Sequence, residues 1–203
     1  MTTHTSGDRV PDIVVHYLSM KLSMTTGWIK FAIGWIVVFL FRLIPFRPPN
    51  FEPMLATMMP FSKRFGVLGS FLFGFLGIVF FDAVTSGWGV WTAVTAVAYG
   101  VLGAGSCLFF KNREATVRNF LSFGIVGTLF YDAVTGLTIG PIFQGQSFMV
   151  ALTGQIPFTL MHLLGTVVFA TLLSPALYKW VVTSEQLELG VIFPALGKTT
   201  SSR

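Results

Sequence analysis

Gly74-Phe75-Leu76-Gly77-Ile78-Val79-Phe80-Phe81-Asp82-Ala83-Val84-Thr85-Ser86-Gly87 is the stretch that decides the class of this chain. It closes an apolar run that begins at Phe65 and meets no charge until Asp82. A bilayer core of ~30 Å is crossed by about 20 apolar residues in helix, and this run has that length. The same pattern returns as Gly124-Ile125-Val126-Gly127-Thr128-Leu129-Phe130-Tyr131-Asp132-Ala133-Val134-Thr135-Gly136. Both copies read G-x-x-G-x-x-F-[FY]-D-A-V-T, 50 residues apart. Repeated segments in corresponding places often frame a transport site.

Outward from this pair, further apolar runs appear. Trp28 to Phe46 is interrupted only by Lys30 and Arg42 near its ends, and Trp88 to Phe110 carries no charge. Val117 to Val134 has Arg118 at its start and Asp132 near its end. Phe148 to Val182 is long, and Pro157 and Pro175 are placed to kink it or split off its ends. Pro53 to Phe61 is too short to span unaided. It is expected either to line a protein interior as a short second helix or to be a re-entrant segment, since such backbone at membrane depth must be shielded. The expectation is therefore an all-α integral membrane protein, a compact bundle of about six transmembrane helices, the second one short. Residues 28–182 form the membrane domain, flanked by a polar cytoplasmic segment (1–27) and a cytoplasmic tail (183–203).

Composition agrees. Hydrophobic residues make up 53% of the 203 and charged residues 10%, against roughly 25% charged in a soluble domain. The net charge of +5 is spread over single or paired basic residues between apolar runs, which reads as membrane loops rather than a nucleic-acid surface. With the N-terminus inside, Arg9, Lys21, Lys30, Lys63, Arg64, Lys111, Arg113, Arg118, Lys179, Lys198 and Arg203 fall on the cytoplasmic side, and only Arg42 and Arg47 outside. Glu52, Asp82 and Asp132 fall at the outer ends of spans. The other acids, Glu188 among them, fall inside and are expected to be solvated. Cys107, the single cysteine, permits no internal disulfide.

Candidate site residues gather on the outer side. An intramembrane carboxylate costs ~2.5–3.5 kcal/mol at a helix centre and usually faces an interior, which singles out Asp82 and Asp132. Each either ends its span in water or serves a site, and a salt bridge to Arg42 or Arg47 is open to both. Pro45-Phe46-Arg47-Pro48-Pro49-Asn50-Phe51-Glu52-Pro53 is a stiff connector, because each proline fixes φ and removes a donor. It reads as an ordinary rigid loop, or as a rim offering Arg47, Asn50 and Glu52 to a ligand. Trp88 and Trp91 share a helix face, as an interfacial belt or a stacking surface, and Thr92, Thr95 and Tyr99 continue it. Gln144 and Gln146 come from the matching loop after the fifth run. His162 reads first as a packing residue. No second His or Cys stands at metal spacing and no phosphate-binding loop occurs, so neither metal, cofactor nor ATP hydrolysis is expected of this chain.

The Pro-Pro-Asn-Phe-Glu-Pro entry to a short helix resembles the substrate-binding S component of energy-coupling factor (ECF) transporters. So do the Gly-rich helix ending in Phe81-Asp82, the Gly87-Trp88-Gly89-Val90-Trp91-Thr92 start of the next, and the size. The likeness covers about residues 28–180. It implies a non-catalytic subunit of the plasma (cytoplasmic) membrane that captures a vitamin or similar micronutrient beneath the loops Phe46 to Glu52 and Val84 to Trp88. A membrane-embedded coupling subunit and cytoplasmic ATPases would be its partners. The family's Ala-x-x-x-Ala docking surface on the first helix is not met here, where only Ala32 and Gly34 stand. Two other functions fit the residues: a small intramembrane enzyme using Asp82, Asp132 and His162 on a lipid, and a structural or assembly protein without a ligand. The paired carboxylates and two Trp suit a planar cationic or heteroaromatic ligand, among others.

Overall fold

The computed structural model describes residues 27–188. Nearly all of the N-terminal segment, much of the tail, and with them Arg9, Lys21, Lys198 and Arg203, lie outside the described residues. Within them the chain is all-helical: α1 (Trp28–Arg42), α2 (Met54–Val84), α3 (Val90–Phe110), α4 (Val117–Gly136) and α5 (Phe148–Leu177). A π-helical turn, Ile139–Phe143, joins α4 to α5, and a second, Tyr178–Val182, extends α5.

α2 is not one straight helix. Gly66 breaks it with φ 66° and ψ −177°, a conformation essentially reserved for glycine. The two arms, Met54 to Phe65 (α2a) and Val67 to Val84 (α2b), fold back on one another. Met54 Cε lies against Gly77, Met58 Sδ against Gly74, and the Phe61 ring stacks on Phe73 at 5.1 Å. Those pairings run antiparallel. The short run and the Gly-rich run of the sequence are thus two helices, with Lys63, Arg64 and Gly66 at the fold.

Every residue from Pro53 to Ser62 is buried. A helix apolar on all sides has no face for water, and α2a becomes the centre of the bundle. Inside it Pro60 removes the N–H that would bond Ala56 O. That carbonyl instead accepts the Ser174 hydroxyl of α5 at 2.7 Å, tying the centre to the last helix.

α2, its two arms taken together, and α3 form the most extensive helix pair, and much of it lies along α2b. Their backbones touch. A Cβ on Gly103 would stand 2.0 Å from Ser70 O, and one on Gly74 would stand 2.4 Å from Tyr99 O. The small residues at those positions permit this approach.

The outside is apolar. Ile36, Leu40, Leu68, Val97, Val101, Leu108, Val126, Leu160, Leu164 and Leu172 are all exposed, far more apolar surface than a soluble monomer carries. Thr57, Ser62, Ser70, Ser106, Thr128, Thr166 and Ser174 are buried. Ser62 bonds Ser106 at 2.9 Å and Thr128 bonds Thr166 at 2.7 Å. Four helices, Met54–Val84, Val90–Phe110, Val117–Phe143 and Phe148–Val182, have the length and apolar character to cross a membrane.

Three expectations change. The first helix stops at Arg42, not Phe46, because the connector prolines begin at Pro45. At ~1.5 Å per residue its 15 residues fall short of a full bilayer core. Pro157 and Pro175 do not split α5, which is continuous through both. Glu188 is not freely solvated: its carboxylate meets the buried Lys30 ammonium at 2.6 Å and Arg64 at 2.7 Å. Lys30 also donates to Val182 O at 3.0 Å. This cluster closes the bundle at the end where α2 folds back.

Candidate functional site

At the opposite end the connector between α1 and α2, the helix ends of α2b and α3, and α4 and α5 enclose a polar cavity of about 90 Å³. The connector is held in an unusual shape. Phe46 and Asn50 both have positive φ, 62° and 61°, which Asn tolerates locally and Phe does not. Arg47 Nε donates back to Arg42 O at 3.3 Å.

Arg47, Asn50, Glu52, Asp82, Trp91 and Thr95 line the cavity. These six come from the residues singled out in the sequence. Arg42, Ile78, Tyr131, Phe158 and His162 complete the lining.

Glu52 is the hub. Its carboxylate accepts the Tyr99 hydroxyl, and Arg42 Nε lies 3.3 Å from Glu52 Oε2. Desolvation alone would raise the Glu52 carboxyl, but Arg42 above all, with His162, the Tyr99 hydroxyl and Arg47, outweighs it and holds Glu52 below its ordinary value. Gly165 on α5 gives this segment room: a Cβ there would stand 3.2 Å from the Glu52 nitrogen and the Phe51 Cα. The Arg42 guanidinium also lies 4.2 Å over the Phe81 ring.

The repeat places its two carboxylates in parallel roles. Asp82 Oδ2 accepts the Thr92 hydroxyl at 2.7 Å, and that hydroxyl in turn accepts Gly89 N–H at 3.2 Å. Asp132 Oδ1 stands 2.7 Å from His162 Nδ1. Downstream, Thr85 donates to Phe81 O and Thr135 to Tyr131 O. The aromatic before each Asp packs at the site: Phe81 beneath Arg42, and Tyr131 at 4.4 Å from the Tyr99 ring and edge-on to His162 at 5.5 Å. Neither Asp pairs with Arg42 or Arg47 among the described residues. Arg42 goes to Glu52.

Thr92 sits behind the lining, as the partner of Asp82. Asp132 is buried at 1% exposure, behind His162. Trp88 is outside the cavity: it is 72% exposed and donates to Val79 O at 3.0 Å, bracing the α2–α3 turn. Gln144 and Gln146 are exposed and not part of the lining. Gln146 Oε1 instead approaches Gly140. Ala32 and Gly34 do not share a face. Gly34 is buried against Phe61 and Phe73, so it serves internal packing, while Ala32 lines an apolar groove of about 270 Å³ with Trp28, Trp35 and Leu72.

Sequence reading passed over Tyr131, Phe158 and Ile78 and read His162 first as packing, with an acid–base role only in the enzyme alternative. The first had a signal, since Tyr131 is the repeat counterpart of Phe81, directly before Asp132. Phe158 and Ile78 had none, being apolar residues in apolar helices.

Several polar atoms at the site have no partner. Arg42 Nε and Nη1, Arg47 Nη1 and Asp132 Oδ2 are buried without a hydrogen bond. The Arg42–Glu52 contact at 3.3 Å is an ion pair without a hydrogen bond at Nε.

Among the described residues the chain has an apolar exterior, buried hydroxyls and a polar cavity at one end, and it falls in the class of all-helical proteins with helices long and apolar enough to cross a membrane, four of them here. Beyond that class, no protein-family model, no curated protein and no solved structure matches the chain.

Proposed function

We propose that this chain is a membrane-embedded substrate-binding subunit, of the kind seen in ECF-type importers. It captures a vitamin or similar micronutrient at the outer face of the cytoplasmic membrane and passes it on with a separate coupling subunit and ATPases. In this reading the helical segments α1, α2a, α2b, α3, α4 and α5 are six spans, the first two incomplete in length and accommodated by shielding within the bundle or by local thinning of the bilayer. Both termini are cytoplasmic, and the Lys30–Glu188–Arg64 cluster lies at the inner surface with Lys63, Arg113 and Arg118. The groove at Ala32 is the face offered to the coupling subunit.

The observation that carries the reading is the cavity itself. It is closed over by the strained connector, walled by Trp91, Tyr131 and Phe158, and supplied with fixed polar groups. Ligand sites combine aromatic walls with a few oriented polar groups in this way.

The test is binding by the full chain in lipid nanodiscs. Small molecules released on denaturation are identified by mass spectrometry, and thermal unfolding is followed with a vitamin panel, since a tight ligand in excess raises the midpoint. A stoichiometric ligand whose affinity falls at least tenfold in Trp91→Ala supports the reading. Absence of any ligand refutes it.

The buried Asp132–His162 pair favours a second reading, an acid–base enzyme acting on a lipid. It predicts turnover by the isolated chain that His162→Gln abolishes.

A further inference from the structure

The charged groups of the cavity are unequally satisfied. Its carboxylates are each supplied with at least one partner, and so is Asp132 behind His162, although Asp132 Oδ2 has none. Glu52 has Arg42 and Tyr99, Asp82 has Thr92, and Asp132 has His162. The guanidinium groups are not: Arg42 Nη1 and Arg47 Nη1 are buried nitrogens with no hydrogen-bond acceptor, and Arg42 Nε meets Glu52 only as an ion pair at 3.3 Å. Buried polar groups are nearly always hydrogen-bonded, and an unmade bond from a charged donor is expensive. Both arginines line the one cavity, and Arg47 is steered there by its Nε bond to Arg42 O.

Resting on the binding reading above, we infer that the ligand carries a carboxylate, which Arg42 and Arg47 receive. A guanidinium presents parallel N–H donors that match a planar carboxylate. The charge of the surroundings selects a monoanion. Glu52 and Asp82 face Arg42, Arg47 and His162 around the cavity, so a doubly charged phosphate would be pressed against two carboxylates. The rest of the ligand is a flat, mostly apolar body lying among Trp91, Tyr131 and Phe158. The space of about 90 Å³ keeps it small.

The experiment uses the full chain in nanodiscs. Whatever small molecule is released on denaturation is identified by mass spectrometry. Thermal unfolding is then measured with matched pairs, nicotinate against nicotinamide and tryptophan against tryptamine, and with inorganic phosphate. The released molecule is expected to be a carboxylic acid, and binding acids are expected to lose at least tenfold in affinity as the amide or amine. Arg47→Gln abolishes that preference and Arg47→Lys restores part of it, with the unliganded midpoint of each variant checking the fold. Stabilisation by phosphate as strong as by the acids overturns the carboxylate assignment. A neutral or cationic molecule released in stoichiometric amount, or acid binding unchanged in Arg47→Gln, overturns the inference and leaves the binding reading standing. Absence of any ligand overturns both.

Discussion

Ser174 Oγ on α5 donates to Ala56 O on α2a at 2.7 Å, the acceptor that Pro60 leaves without its helical partner. Ser174 is wholly buried, so its loss strands a carbonyl. Ser174→Ala is expected to destabilise the protein by about 1–3 kcal/mol, read as a lower unfolding midpoint in detergent. An unchanged midpoint would mean that α2a and α5 are held together by apolar packing alone.

Gly66 folds α2 back on itself with a backbone geometry that side chains rarely adopt. Nothing stands within 4 Å of where a Cβ would go. Gly66→Ala therefore adds strain without a clash, costing about 1–3 kcal/mol. A variant as stable as the parent would show that the turn has a second, ordinary conformation.

Two glycines of α3 should behave oppositely. A Cβ at Gly103 would lie 2.0 Å from the Ser70 carbonyl, whereas one at Gly105 meets nothing nearer than Phe123 at 3.9 Å. Gly103→Ala is expected to cost about 3 kcal/mol by forcing backbones apart. Gly105→Ala should be neutral or stabilise by up to ~1 kcal/mol. Denaturant unfolding of the pair settles it; equal effects would contradict the close α2b–α3 contact.

Lys30 is 1% exposed and shares Glu188 with Arg64. Removing the acid alone leaves a buried ammonium with only the Val182 carbonyl. Glu188→Gln is expected to cost about 3 kcal/mol, and Lys30→Met added to it to recover part of that loss. A strictly additive double-mutant cycle would argue against the pairing.

Glu52 has a folded value below its ordinary 4.5, so it binds a proton more readily in the unfolded chain. Its stabilisation is complete above that ordinary value and is lost as pH falls from there through the lower folded value. The parent is expected to lose stability more steeply than Glu52→Gln below about pH 4.5, in unfolding midpoints taken between pH 3 and 7. Parallel curves would show that the Arg42 contact does not form.

What the sequence made legible followed from periodicity and cost. Apolar runs gave the helices, and the isolation of Asp82 and Asp132 in such runs marked the end of the bundle where the cavity lies. The Pro-rich connector announced itself through composition, and four residues read from these signals, Arg47, Asn50, Glu52 and Asp82, do line the cavity. The rest depended on three-dimensional neighbours. Nothing in the order of residues distinguishes Trp91, which faces the cavity, from Trp88, which braces a turn. Arg42 reads as a span-end charge until Glu52 is brought beside it. His162 resembles a packing histidine because the partner that sets its role, Asp132, sits on another helix. Ala32 and Gly34 could each serve packing or docking by sequence, and helical rotation turns Gly34 to the core against Phe61 and Phe73.

The buried arm Met54 to Ser62 has a consequence for how the molecule responds to its surroundings. Lipids of different chain length press on a protein by hydrophobic mismatch, which outer helices relieve by tilting. The stretch from Pro53 to Ser62 is buried throughout, so in the membrane setting proposed above it has no lipid-facing surface on which such pressure can act, and the connector with Glu52 leads directly into it. Thickening or thinning the bilayer thus bears on the sheath of the bundle and leaves the base of the cavity mechanically insulated.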